Sequence, residues 1–111
     1  MEISFEQRAN DTLLVLTGRL TSSSVDRINT EIRKMMEQYG IPLALTIDMQ
    51  DVIYINASAL RAIYYLVRFM FYRGGSIHFY GYEGIAEEFV RLCGITYPYP
   101  FHVLTKPLHK R

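Results

Sequence analysis

The sequence predicts an α/β domain, a mixed sheet of four or five strands with about three helices mainly on one face. Three observations carry that expectation. Short apolar runs alternate with longer stretches in which apolar residues recur every three or four positions, giving the order β-β-α-β-α-β-α-β. From the second strand onward a helix separates successive strands, and helical crossovers join parallel neighbours, so only the first pair forms an antiparallel hairpin. With consecutive strands adjacent, all three helices share a face. Finally, 111 residues, half of them apolar, suffice for one domain spanning 1–111 whose core needs no disulfide or metal.

The elements follow in order. Ile3–Phe5 alternates apolar and polar residues, Asn10-Asp11 is a turn signal, and Leu13–Leu16 is an apolar run ending near Gly18. Ser22, Ser23 and Ser24 offer N-caps, with Asp26 at the capping-box position after Ser23. Val25, Ile28, Ile32, Met35 and Met36 recur at helical spacing until Gly40-Ile41-Pro42. Leu43–Ile47 is the third strand, with Leu43, Leu45 and Ile47 on one face and Ala44 and Thr46 on the other. A turn over Asp48–Tyr54 follows, and Asn56 caps a helix over Ala57–Tyr72 that Gly74-Gly75 ends. Ser76–Tyr80 is the fourth strand and Glu83–Cys93 a short helix stopped by Gly94. Thr46, His78 and Tyr80 point to the more open sheet face. Tyr97-Pro98-Tyr99-Pro100 reads as a rigid extended segment, Phe101–Leu104 as an edge strand, and residues 105–111 as a frayed tail.

Composition narrows the functional classes. The single Cys93 excludes an intramolecular disulfide and, with no zinc-type spacing, favours a reducing, cytoplasmic home. The N-terminus has neither a basic nor an apolar signal region. The most apolar stretch, 52–73, is broken by Asn56, Ser58, Arg61 and Arg68, so neither a span nor direct membrane insertion is expected. Net charge is +1, which argues against a nucleic-acid binder. Yet residues 52–82 hold three arginines and no acid, together with six of the nine tyrosines.

A helical wheel concentrates that chemistry. Leu60, Ile63, Leu66, Val67, Met70 and Phe71 share one face of the second helix, and Ser58, Arg61, Tyr65, Arg68, Phe69 and Tyr72 the other. Arginine, tyrosine and phenylalanine are the residues that interface centres enrich, so the outer face is a candidate contact for a protein partner or, in a homodimer, for a second copy.

The segment from Asp48 to Leu60 (Asp48-Met49-Gln50-Asp51-Val52-Ile53-Tyr54-Ile55-Asn56-Ala57-Ser58-Ala59-Leu60) resembles the signature of the STAS domain family of sulfate transporters and anti-sigma-factor antagonists. In that family an acidic turn leads into a helix opening on a pattern like Asp-Ser-Ser-Gly-Leu. Gly18-Arg19-Leu20, Gly74-Gly75 and Leu92-Cys93-Gly94-Ile95 extend the resemblance over about 3–104. It implies the same α/β fold and a non-enzymatic interaction module of the stand-alone anti-sigma-factor antagonist type, acting in transcription regulation by partner switching. The implied partner is a kinase-type anti-sigma or switch protein. The alternative is the cytoplasmic accessory subunit of a lipid ABC transporter, contacting its ATPase. By position, Asn56 stands where the family has aspartate, Ala57 where its phosphorylated serine or threonine is found, and Ser58 at the second, normally unmodified serine. Ala57 carries no hydroxyl and is not modifiable; Ser58 is then the remaining phosphorylation candidate. The implied partner-binding residues are Tyr54, Asn56, Ala57, Ser58, Arg61, Tyr65, Arg68, Phe69 and Tyr72.

No catalytic, cofactor or metal set accompanies them. GxxxxGK[ST], GxGxxG and GxSxG are missing from the sequence. Glu87 and Glu88 are adjacent on a helix and point about 100° apart, which does not make a working carboxylate pair. His78, His102 and His109 are scattered, and Cys93 at a helix C-terminus reads as a small apolar residue, where the helix end raises a thiol pKa.

Overall fold

The computed structural model describes residues 1–94 and the backbone of one further strand, 102–104. The order is β1 (Glu2–Gln7), β2 (Thr12–Leu20), α1 (Ser22–Tyr39), β3 (Ala44–Ile55), α2 (Ala57–Tyr72), β4 (Ser76–Tyr80), α3 (Ile85–Cys93) and β5 (His102–Leu104). The five strands lie in sequence order, β1 antiparallel to β2 and all later neighbours parallel. The expected α/β architecture, hairpin and edge strand are therefore found. The segment 97–100 and the tail 105–111 fall outside the described residues.

Period-two alternation explains where the helices sit. Leu14, Leu16, Leu45, Ile47, Ile77 and Phe79 occupy alternate strand positions, and all join one core with Ile28 of α1, Leu60, Ile63 and Val67 of α2, and Ile85 and Phe89 of α3. The three helices thus cover a single face. Removing each of these side chains from water contributes roughly 1.5–3 kcal/mol.

Several local expectations need correction. The cap of α1 is Thr21, not one of the serines; its N–H donates to Ser24 Oγ at 3.1 Å, so the acid expected at Asp26 has no part in it. Leu43 lies outside β3 and is 82% exposed, because the strand begins one residue later. Phe71 is exposed although the wheel placed it in the core, since it belongs to the last turn of α2. Thr46 is buried rather than on an open face. The hairpin turn closes over it: Arg8 Nε donates to Asp11 Oδ1 at 2.6 Å, and Thr46 Oγ1 donates to Asp11 Oδ2 at 2.6 Å.

The largest correction concerns 48–54, which is strand rather than turn. β3 runs for 12 residues and pairs with β2 throughout, but with two register shifts. Val15 pairs with Asp48 and Thr17 with Asp51; Gly18 pairs with Val52 and Arg19 with Tyr54. Each shift inserts one extra residue into β3, as a β-bulge does. Met49, Val52 and Ile55 all pack on the core, so the inward side chains here recur every third residue instead of every second. That spacing hides a strand from any search for alternation.

Candidate protein-contact site

The site begins where β2 and β3 end. Because these strands are parallel, the helices that follow them start on one rim of the sheet, and Leu20 and Ile55 are register partners there. Asn56 knits the rim together. Its N–H donates to the Leu20 carbonyl at 3.0 Å, its Oδ1 accepts from the Ala59 N–H at 3.0 Å, and its Nδ2 donates to Ser22 Oγ at 3.3 Å. Asn56 is therefore the cap the sequence predicts, and it also ties the start of α2 to the start of α1. We expect Asn56→Ala to lower stability by about 1 kcal/mol, read as an earlier urea midpoint at unchanged slope.

Ala57 is half-buried and Ser58 exposed in the first turn of α2. Tyr54 beside them is exposed, with the Arg19 guanidinium 4.6 Å from its ring centre. Ile53 is 76% exposed, and sequence reasoning missed it. The available signal was the three-residue spacing of Met49, Val52 and Ile55, which leaves Ile53 outside.

Down the outer face of α2 the remaining candidates form a strip rather than a pocket. Arg61, Tyr65, Arg68 and Tyr72 are exposed, and Arg68 Nη2 donates to the Tyr72 hydroxyl at 3.4 Å. Phe69 is only half-buried, under the Arg73 guanidinium at 5.0 Å from its ring centre. Its ring also lines an open groove of about 500 Å³ between α1 and α2, together with Ile32, Met36, Ile41 and Leu66. Among the described residues no carboxylate pairs with Arg61, Arg68 or Arg73, whereas Arg27, Lys34 and Arg91 each have one. The strip spans the 16 residues of α2. At 1.5 Å per residue that is about 24 Å, so the rim around Ala57 and the ring of Tyr72 form two ends of a surface.

Among the described residues, the groups that could do chemistry beyond contact are poorly arranged for it. Cys93 is half-buried; burial pushes its thiol pKa up, with the Arg61 charge partly opposing, which leaves a poor nucleophile at neutral pH. Glu88 is held by Arg91 at 2.6 Å while Glu87 is exposed, so the two do not act together. No group of three potential metal ligands occurs among the described residues.

A sheet with all helices on one face, and two helix starts joined on its rim, defines the class: a single-sheet α/β domain. The model of the STAS domain family matches residues 2–97, and the chain belongs to that family. Among solved structures, it is similar to the unphosphorylated anti-sigma factor antagonist SpoIIAA, at 11% identity and a TM-score of 0.69, over 95% of this chain and 90% of that one. The Bacillus cell fate determinant SpoIIAA in its phosphorylated form gives 12% identity and a TM-score of 0.67, over 95% and 93%. An uncharacterised protein of the DUF3478 family from Shewanella loihica, with a SpoIIAA-like fold, gives 16% and 0.60, over 95% and 85%. At such identities these likenesses establish the shared fold. No curated protein matches the chain.

Proposed function

We propose that this chain is a non-enzymatic, cytoplasmic partner-switching module of the anti-sigma-factor-antagonist type. It binds a kinase-type anti-sigma or related switch protein through residues 54–58 and the outer face of α2. The observation that carries this reading is the rim itself. Asn56 holds the first turn of α2 against the start of α1, and Tyr54 and Ser58 stand exposed on either side of Ala57. SpoIIAA supports the reading as a solved anti-sigma factor antagonist of the same fold, described both with and without phosphate.

Ala57 sets the mode of control. A phosphate at this position would sit at a helix N-terminus, where backbone N–H groups favour an anion, but alanine has no atom to carry it. The module is a permanently unmodified binder at this residue, regulated through abundance or through its partner. Ser58, exposed one residue further along, is hydrated surface in this reading.

The test is co-purification of the tagged chain from its native cells, followed by mass spectrometry. Recovery of a histidine-kinase-like ATP-binding protein is the expected result. Recovery of a transporter ATPase in its place would overturn the anti-sigma assignment and make the chain a transporter subunit.

A further inference from the structure

At the far end of α2 the strip reaches Tyr72 and meets further exposed apolar side chains. β3 and β4 begin there, and the connection before β3 meets the connection before β4. Ser76 N–H donates to the Leu43 carbonyl at 2.9 Å, and Gly75 N–H to the Met70 carbonyl at 2.9 Å. Gly75 allows the approach, because a Cβ there would stand 3.1 Å from the Leu43 oxygen. Among the described residues, five of the nine exposed large apolar side chains belong to the last turns of α1 and α2 and to the connection before β3: Leu43 at 82%, Tyr72 at 71%, Phe71 at 56%, Tyr39 at 54% and Ile41 at 43%. So much exposed apolar area at one end of a small domain calls for a covering phase.

Charge selects which phase. The sequence has no acid between Glu37 and Asp48 or between Asp51 and Glu83, while Arg68 and Arg73 flank the exposed rings. Both guanidiniums lie over aromatic rings, at 5.7 Å from Tyr72 and 5.0 Å from Phe69, with no carboxylate partner among the described residues. A second copy docked face to face would set these arginines against each other. A rigid protein would need a socket for each protruding side chain. An anionic bilayer surface needs neither, since its headgroup layer is soft and its phosphates carry the complementary charge.

We propose that this end of the domain adsorbs to anionic lipid. Leu43, Ile41, Phe71 and Tyr72 enter the headgroup layer, and Arg68 and Arg73 hold lipid phosphates. This is peripheral and reversible contact, not a span, as no helix among the described residues is long and apolar enough to cross a membrane. It departs from the sequence expectation of no direct membrane insertion; it shares Arg68 and Tyr72 with the strip on α2 and leaves the rim at Ala57 free. Aromatic rings beside arginines are the side chains that settle at this depth.

The experiment is flotation of the full chain with vesicles of phosphatidylcholine, alone or mixed with phosphatidylglycerol. Binding to the mixed vesicles is expected, about tenfold weaker to neutral ones, and weakening as salt rises. Leu43→Glu and Phe71→Glu should each weaken it by about tenfold, and Arg68→Ala or Arg73→Ala by about fivefold. These positions are exposed, so the fold should persist, with circular dichroism as the check. Ala57→Glu should float like the native chain, which separates this surface from the rim proposed above. No flotation with phosphatidylglycerol, or flotation unaffected by Leu43→Glu, would overturn the proposal. A dimer in sedimentation that Leu43→Glu splits, without vesicle binding, would assign this end to a second copy. Loss of partner capture by Leu43→Glu, again without vesicle binding, would assign it to an acidic protein.

Discussion

Ala57→Glu is expected to abolish capture of the partner while leaving the domain folded. Ala57 occupies the first turn of α2, where a carboxylate faces the positive end of the helix dipole and is worth about 0.3–1 kcal/mol of stability. The half-buried position and the exposed Ser58 beside it leave room for the longer side chain to turn outward. In a complex the same carboxylate is driven into an interface without a counter-charge, which costs several kcal/mol, or roughly a hundredfold or more in affinity. Ala57→Ser is the control, adding a hydroxyl but no charge, and should bind like the native chain. Arg68→Ala should weaken capture modestly and mainly through the association rate, as exposed charges do. Calorimetric titration against the recovered partner, with circular dichroism beside it, measures all three. Undiminished binding by a folded Ala57→Glu protein would remove the rim from the contact.

Gly81→Ala is expected to be the most destabilising single substitution among those considered. Gly81 follows β4 with φ of 86°, and an added Cβ would lie 2.5 Å from both the Cα and the N of Gln50. The obstacle is backbone, so no rotamer change relieves it. Positive φ costs an alanine about 1–2 kcal/mol, and the forced displacement roughly 1–3 kcal/mol more. Together about 2–5 kcal/mol is a large part of the 5–15 kcal/mol typical of a domain. Gly74 supplies the comparison: its φ is 77°, but nothing lies within 4 Å of its would-be Cβ. Gly74→Ala should therefore cost only the conformational part, about 1–2 kcal/mol. Urea denaturation of the two variants separates the terms, and equal midpoints would show that Gln50 yields to the methyl group.

How far the sequence could be read depended on which period each segment obeyed. The order of elements was readable because α1 and α2 keep a 3.6-residue repeat, β1 and β4 keep alternation, and β2 is a continuous apolar run between turn signals. Asn56 was readable as a cap because its residue type and its place before an apolar repeat point the same way. The second half of β3 was not, since its inward residues Met49, Val52 and Ile55 follow neither period. Phe71 failed for a different reason: a helical wheel gives the angle of a side chain but not where along the axis the core stops. Thr46 failed because its cover comes from Asp11, 35 residues away, through a hydrogen bond that no local pattern announces. The rim residues were named by resemblance, and their exposed neighbour Ile53 was left out with the turn assigned to 48–54.

The two shifts in β3 behave like paired insertions in a reading frame of two. One extra residue inverts which side chains face the helices; the second inverts them back. Leu45, Ile47 and Met49 face the core in odd phase, Val52 in even phase, and Ile55 in odd phase again. Residues 50–54 are thus an out-of-frame interval enclosed by in-frame strand, and Ile53 and Tyr54 are displayed from it without altering the core on either side. Deleting one residue from this interval throws Ile55 and the Asn56 cap out of phase together. Deleting two restores the frame, so the exposed lip can change length by pairs while the cap beyond it keeps its register.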